Sequence, residues 1–66
     1  MKLGNNLRKY RKERGLTQAG LAELTKVSRK TINTVENGVF VPSTVLALSI
    51  AKVVGTSVEE LFYLDS

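Results

Sequence analysis

Residues 18–38 read QAGLAELTKVSRKTINTVENG, and the spacing of the apolar side chains in this segment decides the fold. Three apolar residues, at positions 21, 22 and 24, lie at helical spacing. A single valine follows at position 27, and two further apolar residues lie three positions apart, at 32 and 35. Two short helices joined by a tight turn would bury these side chains together, because each helix would show one apolar side to the other. The six side chains are Leu21, Ala22, Leu24, Val27, Ile32 and Val35.

Capping residues set the ends of both helices. Thr17 and Ser28 carry the short, oxygen-bearing side chains that favour a helix N-cap. The first helix ends near a turn that contains Lys26, and the second runs from residue 29 to 36 and closes at Asn37 and Gly38. This arrangement is a helix-turn-helix. Its second helix would present four polar or basic side chains outward: Arg29, Lys30, Asn33 and Thr34.

The rest of the chain predicts three more helices around this unit. The first is capped at residue 5 or 6 and runs through residue 14, stopping at Gly15. Another begins at residue 43 or 44 and ends near Val54, and it is apolar nearly all round, so we expect it to be the most buried helix. Ser57 caps a short last helix.

The two ends of the chain, residues 1–3 and 63–66, are too short for helices and are able to pair as a small two-stranded β-ribbon. The predicted fold class is therefore all-α: one compact five-helix domain over residues 1–66, with a helix-turn-helix in helices two and three.

Charge is divided unevenly along the chain. Residues 1–33 hold nine lysines and arginines against two glutamates, a net of +7, whereas residues 34–66 carry a net of −3. The basic N-terminal half suggests that one face of the domain binds a polyanion, although a solvated basic helix would show the same charges.

Composition excludes several classes of protein. The chain has no cysteine and no histidine, so a disulfide framework and the usual zinc ligand sets are ruled out, and we expect no metal, no cofactor and no enzyme activity. No apolar run reaches the length of a membrane span or a signal peptide. We expect a cytoplasmic protein without a membrane partner or an evident small-molecule ligand.

With these residues placed, the chain resembles the phage repressor/Cro-like helix-turn-helix family of regulators over residues 5–62. The motifs that carry the resemblance are Gly15-Leu16-Thr17-Gln18, Leu21-Ala22, Val27-Ser28-Arg29, Ile32, Val35-Glu36-Asn37-Gly38, Pro42-Ser43 and Glu60-Leu61-Phe62. The length and both ends are most similar to the family's short stand-alone transcriptional regulators.

The resemblance implies a sequence-specific regulator of transcription, most often a repressor, that binds double-stranded DNA as a homodimer at a palindromic operator. Helix three would enter the major groove, where the four outward side chains named above would read base edges. Phosphate contacts would come from Gln18, Ser28 and Thr31 and from the backbone N–H groups of Asn37 and Gly38. Arg11 and Glu36 would form a partly buried structural ion pair.

Two positions depart from the family pattern. Lys26 stands in the turn where the family often has glycine, at a position expected to need a positive φ. The loop of residues 39–41 is apolar where many relatives carry side chains for the DNA backbone, so Phe40 is expected to pack on helix four or a partner.

A dimer surface is expected on the less basic half, near the end of helix four, helix five and the last strand. Its predicted members are Val54, Leu61, Phe62, Tyr63 and Leu64. The alternative function is a protein-interaction adaptor on the same fold, without sequence-specific DNA binding.

Overall fold

The computed structural model describes residues 1–65, and this part of the chain forms five helices and two strands. The elements are β1 (Lys2–Asn5), α1 (Leu7–Glu13), α2 (Gln18–Thr25), α3 (Arg29–Glu36), α4 (Thr44–Val54), α5 (Val58–Leu61) and β2 (Phe62–Asp65). The predicted five-helix fold with a terminal ribbon is confirmed. Ser66, which the sequence placed in the ribbon, lies outside the described residues.

Hydroxyl caps begin four of the helices. Thr17, Ser28, Ser43 and Ser57 each accept a hydrogen bond from the backbone N–H three residues further on. The first helix differs, because the Asn6 side chain makes no cap hydrogen bond. Its first turn is instead held by the side chain of the residue before, Asn5, whose Oδ1 accepts from the N–H of Leu7 at 3.0 Å.

The strands tie the two ends of the chain together. β1 and β2 pair antiparallel, with Leu3 opposite Leu64 and Gly4 opposite Tyr63. A Cβ on Gly4 would overlap the Tyr63 ring, so this ring lies directly over the glycine. Since side chains alternate along a strand, Tyr63 and Leu64 point to opposite faces of the ribbon.

Each helix contributes at least one side chain to a common core. The largest fully buried side chains are Leu7, Leu21, Ile32, Val35, Ile50 and Leu61. The prediction for the helix-turn-helix is wrong at Leu24, which is 56% exposed. α2 packs against α3 and α4 through its Leu21 side, and Leu24 lies outside that contact.

The fourth helix has four buried residues, more than any other helix of residues 1–65, as expected, but it is buried on one side only. Leu46 and Ile50 enter the core, whereas Val45 is 75% exposed and Leu48 is 57% exposed. α4 packs against α2 and α5, and these two helices do not surround it. The longest helix in residues 1–65 is α4, with eleven residues, and none there is long and apolar enough to cross a membrane.

The turn between α2 and α3 has the backbone conformation that the family resemblance implied. Lys26 ends α2 with φ of 60° and ψ of 39°, in the left-handed region. A side chain with a Cβ adopts that conformation at a cost of roughly 1–2 kcal/mol, which glycine avoids. The turn therefore carries a small strain that the rest of the core tolerates.

Replacing Lys26 with glycine should stabilise the fold. For a domain of this size, each kcal/mol gained raises the Tm by about 4–8 °C, which a thermal melt followed by circular dichroism measures. Lys26→Ala is the control, because it removes the same charge but keeps the Cβ. Equal melting temperatures for the two variants would show that charge, not backbone conformation, accounts for the change.

Candidate nucleic-acid interface

The third helix buries one side and presents the other to solvent. Ile32 and Val35 are buried in the core, while Arg29, Lys30 and Asn33 are exposed. Arg29 and Asn33 are four residues apart and so are neighbours on the outer surface of the helix. Three of the four predicted base-reading side chains therefore lie on the exposed part of α3.

The fourth predicted reader, Thr34, is partly buried. Its hydroxyl donates to the carbonyl oxygen of Thr31 at 3.0 Å, which occupies its one hydrogen. What Thr34 still offers is its methyl group and the two lone pairs of its oxygen, a chemistry suited to apolar contact with thymine rather than to donation.

Two hydroxyls are joined at the start of α3. The Ser28 hydroxyl accepts from the N–H of Thr31 at 3.1 Å and lies 2.9 Å from the Thr31 hydroxyl. Their mutual bond uses one of the two hydroxyl hydrogens. The other hydrogen remains free to bind an anionic oxygen at this helix start.

Gln18, the first residue of α2, is held by two neighbours. Its Nε2 donates to Glu36 Oε1 at 3.0 Å, and its Oε1 accepts from Asn33 Nδ2 at 3.4 Å. An amide nitrogen has two hydrogens, so one remains for an outside acceptor. The side chain is thus oriented by the protein and still has a donor.

A surface depression of about 420 Å³ lies at the start of α2. Its lining includes Lys12, Thr17, Gln18 and Arg29. Two cationic side chains and a helix N-terminus together favour an anion such as a phosphate. Lys12 thereby lies beside the predicted phosphate-binding glutamine, Gln18.

The loop after α3 corrects one predicted mode of contact. The backbone N–H of Asn37 donates to the carbonyl of Asn33 at 3.1 Å, and that of Gly38 donates to Val35 at 3.0 Å. Both N–H groups close the helix and are not free for a phosphate. Any contact from this corner would have to use the Asn37 side chain.

An ion pair lies beneath this surface. Arg11 Nε donates to Glu36 Oε2 at 2.6 Å, and Arg11 Nη1 donates to the carbonyl of Leu16 at 2.8 Å. The Glu36 side chain is fully buried, and that of Arg11 is nearly so. The pair connects the first helix to the end of the third.

A second arginine at this carboxylate was missed by sequence reasoning. Arg8 Nε donates to Glu36 Oε1 at 3.3 Å, and its Nη2 donates to Asn37 Oδ1 at 3.1 Å. A signal existed in the sequence: Arg8 is three residues before Arg11, so the two share one side of a helix.

These neighbours keep Glu36 ionised. Burial alone raises the pKa of its carboxyl, but hydrogen bonds from Arg11 and Gln18, the charge of Arg11 and a hydrogen bond from Arg8 together outweigh it. The net result is a pKa below the ordinary value of 4.5.

This lowered pKa predicts a loss of stability in acid. The unfolded chain takes up a proton at Glu36 near pH 4.5, before the folded chain does. The stabilisation is therefore complete above that pH and is lost as the pH falls through the lowered pKa, which urea unfolding at a series of pH values measures. In Glu36→Gln, which is less stable because Arg11 loses its partner, this part of the pH dependence should vanish. An unchanged pH profile in the variant would contradict the assignment.

The predicted dimer surface needs a correction. Val54, Leu61 and Phe62 are 2%, 0% and 8% exposed, because all three complete the core of the single chain. Tyr63 and Leu64 remain exposed. Phe40, expected on helix four or a partner, is 47% exposed in its loop.

A different apolar surface lies beside the ribbon. A groove of about 740 Å³ is lined by residues of α4, α5 and the strands, among them Leu3, Leu48 and Phe62. Leu64 pairs with Leu3, which lines the groove, so the two leucines lie on the same face of the ribbon.

Comparison with known proteins finds close relatives along almost the whole chain. The helix-turn-helix family model matches residues 7–61. An uncharacterized HTH-type transcriptional regulator of Methanothermobacter thermautotrophicus is 47% identical over 60 residues, covering 89% of this chain and 87% of its own. The uncharacterized HTH-type transcriptional regulator YgzD of Bacillus subtilis is 36% identical, covering 92% of each chain.

Two solved structures share the fold. The restriction-modification controller protein C.AhdI from Aeromonas hydrophila matches with a TM-score of 0.76 and 33% identity, over 82% of each chain. The clp gene regulator ClgR from Corynebacterium glutamicum matches with a TM-score of 0.75 and 35% identity, over 79% of this chain. This chain spans about half of the ClgR chain, 55% of its length.

Proposed function

We propose that this protein, which belongs to the helix-turn-helix family, is a sequence-specific DNA-binding regulator of transcription. The observation that carries the proposal is the exposed side of α3, where Arg29, Lys30 and Asn33 stand opposite a buried apolar side. Relatives described as HTH-type transcriptional regulators and solved regulators of the same fold support it.

The chemistry of these side chains suits the major groove. Arg29 and Lys30 match the O6 and N7 acceptors of guanine, and Asn33 matches the N6 donor and N7 acceptor of adenine. Thr34 contributes its methyl group. A helix that is anchored on one side and exposes these groups on the other would hold them against base edges.

Phosphates on either side of the groove would position the helix. Gln18, with Lys12 beside it, would bind one backbone phosphate at the start of α2, and the hydroxyl pair of Ser28 and Thr31 would bind another at the start of α3. The Asn37 side chain would complete the contacts at the far end of α3. These groups set affinity and orientation, whereas the α3 readers set sequence.

A homodimer would lengthen the DNA sequence that the protein recognises. One helix reads only a few base pairs, whereas two copies with their recognition helices about 34–36 Å apart match a palindrome of two half-sites. The surface for this contact is the exposed apolar part of α4 and the ribbon, with Val45, Leu48 and Leu64, which replaces the buried residues of the sequence prediction. Tyr63 lies on the opposite face of the ribbon.

Repression is the simplest mode of regulation for such a dimer. A bound copy that overlaps a promoter blocks polymerase by occupancy alone, whereas activation requires a further contact with the transcription machinery. The protein would act in the cytoplasm, where bacterial and archaeal operators lie.

Selection from random duplexes tests the function and separates it from the adaptor alternative. The wild type should enrich one palindromic sequence, with binding that weakens as salt rises. Enrichment of no sequence would overturn the proposal and favour the adaptor.

Arg29→Ala should lose about 1–3 kcal/mol of discrimination at one base position of each half-site, measured by binding to operators with single base-pair changes. Lys9→Ala is the control, because it removes the same charge from an exposed site on α1. If Arg29→Ala weakened binding to all sequences equally, as the control is expected to do, Arg29 would not read a base.

Sedimentation of surface variants tests the dimer. Leu48→Glu and Leu64→Glu should shift the protein to monomer, because each places a charge in an apolar contact. Leu24→Glu is the matched control, since it changes an equally exposed leucine on α2. A wild type that stays monomeric at micromolar concentration and on DNA would contradict the homodimer.

A further inference from the structure

Five polar side chains form a closed ring of hydrogen bonds under and beside the exposed surface of α3. Arg8 donates to Asn37 Oδ1 at 3.1 Å, and Asn37 Nδ2 donates to Asn33 Oδ1 at 3.2 Å. Asn33 Nδ2 donates to Gln18 Oε1 at 3.4 Å, and Gln18 Nε2 donates to Glu36 Oε1 at 3.0 Å. The bond from Arg8 Nε to the same Glu36 oxygen, at 3.3 Å, closes the ring.

The two charged members fix the direction of every bond in the ring. A guanidinium is only a donor and an ionised carboxylate is only an acceptor, whereas a side-chain amide is both. Arg8 must therefore meet the oxygen of Asn37, and Glu36 must meet the nitrogen of Gln18. Asn33, between them, has one possible orientation, with its oxygen toward Asn37 and its nitrogen toward Gln18.

This orientation leaves Asn33 with the groups that adenine requires. One hydrogen on its Nδ2 and one lone pair on its Oδ1 are outside the ring, so the amide still offers one donor and one acceptor. Adenine presents the complementary acceptor and donor, N7 and N6, in the major groove. An amide that is already oriented loses less side-chain entropy on binding than a free one.

We propose that Arg8 is a positioning residue for base reading: through Asn37 it orients the Asn33 amide toward adenine at one base pair of each half-site. The inference rests on the proposed function and extends it to a residue on α1. Arg8 is half exposed, with a side-chain exposure of 54%, so its ion pair alone adds little stability. Its effect is expected in sequence preference.

The test compares Arg8→Ala with Lys9→Ala, which removes the same charge from the next residue of α1. After selection with the wild type, binding is measured to the selected operator and to operators altered at the base pair that Asn33→Ala identifies. A bidentate amide–adenine contact is worth about 5- to 150-fold in discrimination. Arg8→Ala should lower the discrimination between the selected and altered operators by roughly 3- to 10-fold, the scale of ordering one side chain. Lys9→Ala should leave this discrimination unchanged.

A variant at a second bond of the ring and a double variant distinguish a positioning role of Arg8 from a loss of folding. Asn37→Ala opens the ring at the next bond and should cause the same loss at the same base pair. In the Asn33→Ala background, Arg8→Ala should cause no further loss of discrimination, since there is no amide left to orient. A thermal melt of each variant confirms that it is folded.

The failing outcomes are distinct. If the wild type enriches no sequence, both the proposed function and this inference are wrong. If it enriches an operator and Arg8→Ala discriminates as well as Lys9→Ala does, or loses discrimination equally at every position, only the role of Arg8 is wrong. An Asn33→Ala variant with unchanged preference at every base pair would also overturn it.

Discussion

The buried carboxylate of Glu36 is the constraint on which the arrangement of the first three helices depends. A buried charge is costly unless donors surround it, and this one accepts from Arg11 and Arg8 on α1 and from Gln18 on α2. Apolar contacts tolerate small rotations of one helix against another, whereas hydrogen bonds to one carboxylate tolerate few. Glu36 thus fixes how α1 and α2 sit against the end of α3.

The same carboxylate links the interior to the exposed part of α3. Gln18 connects the carboxylate to Asn33 through hydrogen bonds, and Arg8 connects it to Asn37 in the same way. A change at the buried ion pair would therefore alter both stability and the orientation of surface amides. If α3 reads base edges as proposed, these hydrogen bonds would connect stability to sequence preference.

Much of the fold could be predicted because its signals are local. The apolar spacing of residues 18–38 and the hydroxyl caps determine α2 and α3 from nearby residues alone. The left-handed turn at Lys26 was expected from the resemblance to a family that often has glycine there. The outward placement of Arg29, Lys30 and Asn33 follows from the same periodicity. Arg11 and Glu36 were paired by resemblance to a family, since nothing in their spacing of 25 residues indicates a contact.

What could not be predicted depends on neighbours distant in sequence. Periodicity shows which side of a helix is apolar, but not whether another element covers it, so the exposure of Leu24 was missed. The links of Arg8 to Glu36 and Asn37 were missed because they join residues 28 and 29 positions apart, although the spacing of Arg8 and Arg11 places both on one side of α1. Val54, Leu61 and Phe62 were misplaced on a dimer surface for the converse reason, because other elements of the same chain cover them.

The exposed apolar part of α4 follows from the size of the chain. A small domain buries a smaller share of its surface than a large one, and here two neighbouring helices leave Val45 and Leu48 in solvent. In the proposed dimer a second copy would cover what the chain itself does not. That contact would also set the separation of the two α3 helices, because α4 packs on α2 and α2 packs on α3. The surface that a short chain leaves uncovered would then determine the half-site spacing that its recognition helices read.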